Sequence, residues 1–234
     1  MNANRWVFSS ALFVLTLGMQ QLALAQTGAK ALFHSGEGTT IASKPNAAVA
    51  SAPSASATYM GIAYWIERQA TDGKVARTST SREFRTGERV RLQIKPNKGG
   101  YLYVINIGST GSSTVLYPRA GEENAVIANE TYSVPGRGFM RFDDNPGVET
   151  LLVIVSSKPL SNLAPQIAPR QEKYDVASTQ RLQEFANERG AKDLVIEDDF
   201  RTSRSSAAHY AVAPLRSLDG GKVITITVKL KHTT

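Results

Sequence analysis

From Tyr59 onward the apolar residues recur with a period of two, in short runs separated by turn residues. A period of two places one set of side chains on each face of an extended chain, so these runs read as strands. RVRLQIK puts Val90, Leu92 and Ile94 on one face and Arg89, Arg91, Gln93 and Lys95 on the other. That is a half-buried strand with a basic outer face. GGKVITITVKLKH sets Ile224, Ile226, Val228 and Leu230 against Thr225, Thr227, Lys229 and Lys231. YLYVINIG and TLLVIVSS are apolar on both faces, as strands inside a sheet are. TYMGIAYWIERQ, with a turn at Asp72-Gly73 after it, STVLYP, TYSVP, GFMRF, DLVIEDD and AHYAVAPL supply further runs, and Pro118, Pro135 and Pro146 sit at run ends, where proline is tolerated. One segment breaks the pattern. VASTQRLQEFANERG reads as a short helix near residues 176–190, with Leu182, Phe185 and Ala186 as its buried stripe and Gly190 as its stop. The expected fold is mainly β: an antiparallel β-sandwich, Ig-like or related, with one short helix in the C-terminal third, formed by residues 58–234 as a single domain.

Between YLYVINIG and STVLYP stands GSTGSS, residues 108–113. A phosphate-binding loop of the Walker type needs a lysine after its last glycine and a helix behind it. Here no lysine is present and a strand follows, so the segment reads as the tight end of a β-hairpin.

The N-terminus has a different texture. MNANRWVFSSALFVLTLGMQQLALAQ carries one charge, Arg5, then an apolar run from Trp6 to Met19, then Ala23-Leu24-Ala25. This is the pattern of a secretory signal peptide over residues 1–25, cut before Gln26; the alternative is an uncleaved anchor. The apolar run falls short of the ~20 residues that a spanning helix needs. Residues 26–57 are rich in Ala, Ser and Pro and have little to bury, so they read as a flexible linker. Leu32-Phe33 is the one apolar pair in it that could dock. An exported chain is thus expected, periplasmic or secreted. It has no cysteine, so its stability rests on burial rather than disulfides. Its net charge of +7 favours anionic envelope polymers, membrane surfaces or acidic proteins over nucleic acid, which an exported chain does not meet.

The strand runs also carry a family resemblance. Phe84, Gly87-Glu88, Val90 and Leu92 are followed by Gly100-Tyr101-Leu102-Tyr103-Val104-Ile105, then Gly111 and Leu116-Tyr117-Pro118. Asn124, Ile127, Tyr132, Val134-Pro135, Phe142, Pro146-Gly147, Glu149 and Leu152-Val153-Ile154-Val155-Ser156 complete the order. Over roughly residues 80 to 160 this resembles the bacterial domain of unknown function 4384. Glu88 stands where that family more often has Asp, and Tyr117 where it has Phe. The resemblance implies a compact β-sandwich-like module and supplies no reaction.

Few residues offer catalytic chemistry. A nucleophilic triad needs a base beside Ser or Cys, and the only histidines are His34, His209 and His232. No G-x-S-x-G elbow is present. Asp143-Asp144 belongs to DDNPG, which reads as a turn, and Glu197-Asp198-Asp199 reads as a solvated strand end rather than a calcium loop. No catalytic residue, metal site or cofactor is therefore expected. A hydrolase with dispersed carboxylates stays open, and a deep cleft holding two of them would be its mark.

The remaining candidates are basic. Arg82, Arg85, Arg89 and Arg91 fall within ten positions, with Lys95 close behind. Such a row could engage carboxylate or phosphate, or it could guard an edge strand against aggregation, and the guarding role is the one favoured here. The expected function is a non-catalytic module of the bacterial envelope that binds a protein partner through a sheet edge or this basic strand face. The alternative is electrostatic binding of an anionic envelope polymer.

Overall fold

The structure, a computed structural model, describes residues 29–34, 59–119, 121–160, 173–198 and 208–234. The expected signal peptide lies outside the described residues, as does most of the expected linker.

The period-two runs form two seven-stranded sheets packed face to face. The first has the order β12 (Val195–Asp198), β13 (His209–Pro214), β1 (Tyr59–Gln69), β4 (Arg89–Pro96), β8 (Tyr132–Val134). In this sheet β2 (Val75–Thr78) also pairs with β1, and β9 (Met140–Arg141) with β4. The second has the order β11 (Lys173–Tyr174), β6 (Ser113–Tyr117), β5 (Gly100–Ile107), β10 (Gly147–Ser156), β14 (Ile224–Thr233), β3 (Glu83–Arg85). Here β7 (Ala125–Val126) also pairs with β5. Neighbours run antiparallel except β3 and β14, which are parallel. The fold is the expected sandwich.

The inner faces supply the core. Met60, Ile62, Tyr64 and Ile66 of β1 and Val90, Leu92 and Ile94 of β4 meet Leu102, Val104, Leu151, Val153 and Val155. Ile224, Ile226, Val228 and Leu230 of β14 face the same layer, as their alternation requires. Burying each such side chain stabilises by roughly 1.5–3 kcal/mol.

β5 and β10 are apolar on both faces because both faces are covered. Their outer residues Tyr103, Ile105, Ile107, Leu152 and Ile154 lie under α2 (Val176–Arg189), which buries Leu182 and Ala186 against them. The third buried helix residue is Thr179 rather than Phe185, which is half-buried. Thr179 lies 2.7 Å from the Ser113 hydroxyl and donates to the Asp175 carbonyl, so a polar pair is satisfied in the packed layer. The helix starts at Asp175, whose carboxylate accepts from Ser178 N at 2.7 Å. It stops at Gly190 as expected, by a bridge to Val223, just before β14, rather than by a left-handed cap. Val223 N donates to the Arg189 carbonyl and Ala191 N to the Val223 carbonyl.

The outer face of the first sheet is divided. Over β13 and the start of β1, Ala29, Leu32 and Phe33 pack on Ala63, Tyr210 and Val212. They belong to a short stretch that includes α1 (Ala31–His34), and the Phe33 and Tyr210 rings lie 5.4 Å apart. Leu32-Phe33 therefore docks. The other half of this face, over β4, carries the basic row.

GSTGSS closes the β5–β6 hairpin. Gly108 N donates to the Ser112 carbonyl at 2.9 Å, and Gly111 takes φ +84, a left-handed turn position that favours glycine.

One expectation is overturned. β4 is not an edge strand: it pairs with β1 on one rim and with β8 and β9 on the other. A basic row there has no exposed rim to guard. The outermost strands are β12, β2, β8 with β9, β11, β7 and β3. Charge does flank an edge at β3, where exposed Glu83 and Arg85 bracket buried Phe84.

Candidate interaction surfaces

The five basic candidates divide into two groups. Arg89, Arg91 and Lys95 share the outer face of β4 and sit opposite Gln69, Glu67 and Ala63 of β1. Register alone thus gives Arg91 a carboxylate and the other two none. Arg91 pairs with Glu67 at 2.7 Å, and its guanidinium lies 5.0 Å from the Phe139 ring centroid. Gln93, between Arg91 and Lys95, is buried and donates to the same Glu67 carboxylate at 2.9 Å. The Ser133 hydroxyl donates to Gln93 Oε1 in turn, and Trp65 Nε1 to Glu67 Oε1. Arg77 covers the Trp65 ring at 4.1 Å. Burial would push the Glu67 carboxyl up. Hydrogen bonds from Gln93, Arg91 and Trp65, with the Arg91 charge, outweigh that and hold it below its ordinary range. The middle of the basic row is thereby neutralised from within the sheet.

Arg82 and Arg85 flank the turn into β4. Glu88 is the hub there. Both its carboxylate oxygens accept from Arg82 Nη2 at 3.0 Å. It also accepts from Arg68 Nη1 at 3.3 Å and from Arg85 N at 2.9 Å. Arg82 lies over the Phe84 ring as well. Arg85 and Arg89 are exposed, and their side chains form no ion pair or hydrogen bond among the described residues.

Sequence reasoning missed two members of this group. Arg68 comes from the end of β1. Arg141 of β9 stands directly opposite Arg89. It too is exposed and unpaired among the described residues. GFMRF read as a strand, but no local signal says that it pairs with β4.

The turn-forming carboxylates behave as expected. Asp143 accepts from Asn145 N at 2.9 Å and from its side-chain amide, which hold its carboxyl below the ordinary range. Asp143 and Glu149 do line two cavities, of about 100 Å³ and about 230 Å³. Both fall below the ~300–1,000 Å³ of typical ligand pockets. Glu149 accepts from the Asn106 side-chain amide at 2.9 Å. Among the described residues no group of three or more His, Cys, Asp or Glu is placed to hold a metal ion. His209 stacks on Tyr64, and buried His232 lies 3.0 Å from the Thr86 hydroxyl and against Phe142. No helix among the described residues is long and apolar enough to cross a membrane.

The sheet edges differ in character. β11 and β3 have two and three residues. β7, β8 and β9 are as short, and β2, with four residues, exposes one large apolar side chain, Val75. β12 is the outermost strand beyond β13, and it exposes Val195 and Ile196 at 44% and 54%. No described strand pairs with its outer rim.

Residues 83–159 match the family model described as a domain of unknown function, DUF4384. The resemblance carried by Phe84 to Ser156 is therefore borne out over this stretch. No curated protein and no solved structure matches the chain.

Proposed function

We propose that the chain is an exported, non-catalytic interaction module of the bacterial cell envelope, and that it binds a protein partner by strand addition at β12. The carrying observation is the exposed Val195-Ile196 pair on an outermost strand whose rim no described strand covers. Unpaired rim amides and carbonyls with apolar side chains beside them are what an incoming strand satisfies and buries. Export is supported by the leader-like N-terminus, and the envelope by the bacterial family resemblance. A non-catalytic role is supported by the small size of both cavities that hold Asp143 and Glu149 and by the structural duties of both carboxylates.

The test is capture from solubilised envelope by the tagged chain, beside capture on purified cell-wall polymer, each washed at low and high salt. The expected result is a discrete protein band that survives high salt and is lost with Ile196→Lys. Retention on polymer alone, lost at high salt, would make the chain an electrostatic binder and overturn the proposal. A band that Ile196→Lys keeps would overturn the edge as its site.

A further inference from the structure

We propose that the cleft between the β1–β2 turn and the β3–β4 turn receives a carboxylate-rich segment of the protein partner, held by Arg89 and Arg141. This rests on the reading of the chain as a protein-binding module and gives that module a recognition chemistry.

The cleft is about 660 Å³ and open; Arg68, Gln69, Thr71, Gly87, Glu88 and Arg89 are among its walls. Gly87 forms one wall. Its φ of +85 favours glycine, and a Cβ there would lie 3.8 Å from Arg141 Nη2. Arg141 itself lines the 100 Å³ cavity with Asp143, and its guanidinium comes up to the Gly87 wall of the cleft that Arg89 also lines.

Charge is unbalanced at this rim. Glu88 already takes Arg68, Arg82 and the Arg85 main chain. Arg85, Arg89 and Arg141 remain unpaired among the described residues. Three other carboxylates of these turns and strands are engaged, while Asp144, three residues after Arg141, is exposed and unpaired among the described residues. Asp72 pairs with Lys74, Glu83 with Lys231, and Asp143 with Asn145. Arg89 and Arg141 are directly opposed on an antiparallel ladder, where like charges destabilise the pairing. An anion between them removes that repulsion.

Two observations select a carboxylate-bearing peptide over a polymer. The Arg82–Glu88 pair, at 3.0 Å to both oxygens, shows guanidinium–carboxylate recognition operating in the same cluster. The unpaired charge is also local. A polyanion needs a continuous basic track, and Glu67 interrupts the one along β4 by neutralising Arg91. Lys95 is left isolated beyond buried Gln93.

The experiment is a fluorescence-anisotropy titration of the full chain with a labelled peptide of alternating Glu and Gly, and separately with labelled polygalacturonate. The expected result is peptide binding that weakens about tenfold or more in Arg89→Gln/Arg141→Gln and is unchanged in Lys229→Gln, a remote exposed charge on β14. Equal peptide affinity in the double variant and the wild type would overturn the proposal. So would tighter binding of polygalacturonate than of peptide at matched charge. If the peptide fails to bind while capture sensitive to Ile196→Lys persists, the cleft assignment falls and the module reading stands.

Discussion

Glu67 accepts from Trp65, Arg91 and Gln93, and through them it ties β1 to β4 across the outer face of the first sheet. Its carboxyl is held below its ordinary value of 4.5, because these bonds outweigh the cost of burial. A carboxyl depressed in the folded state contributes stability above its ordinary value, and that contribution is lost as pH falls through the folded value. Glu67→Gln should therefore lower the urea midpoint at neutral pH, and the gap from wild type should close as pH drops from about 7 to about 3. Urea unfolding of both proteins across that range checks it, and a gap of constant size would show that Glu67 acts by packing alone. Glu88 plays the matching part at the turn, with the difference that its arginines outnumber it.

The elements were largely legible because each obeys one periodicity. The rows Val90, Leu92, Ile94 and Ile224, Ile226, Val228, Leu230 are buried as their alternation demands. The two-sided runs of β5 and β10 became interior strands under α2. Leu182 is the helix's main apolar anchor on that layer. Leu182→Ala should cost about 2–4 kcal/mol, read as a lower unfolding midpoint. A loss within about 0.5 kcal/mol would mean that α2 adds little to the sandwich. What the sequence could not convey is which strand lies beside which. RVRLQIK has the alternation of a half-exposed strand wherever it sits, so its basic face looked like edge protection when β4 is in fact flanked on both rims. Arg141 and Arg89 are far apart in sequence, and only the β4–β9 pairing brings them together. Phe185 looked like core because a three-residue step separates it from Leu182, but Thr179 occupies the buried end of the stripe instead.

At the scale of the whole molecule, the stretch that matches the family, residues 83–159, does not close the sandwich by itself. It runs from β3 through β10, yet β1 lies between β4 and β13, and β14 lies between β10 and β3. Both sheets are completed by strands from outside the match. So is much of the surface available to a partner: β12 and Arg68 both fall outside it. On this account the matched stretch provides a common frame, and the flanking strands give this chain its own binding edge. The most direct test places a photocrosslinking amino acid at position 196, on β12, and in a second protein at position 127, where Ile127 is 61% exposed away from that edge. Irradiated in the cells that make it, the position-196 protein should give a single adduct with one other protein, and the position-127 protein none. No adduct from position 196, or the same products from both positions, would contradict binding at the β12 edge.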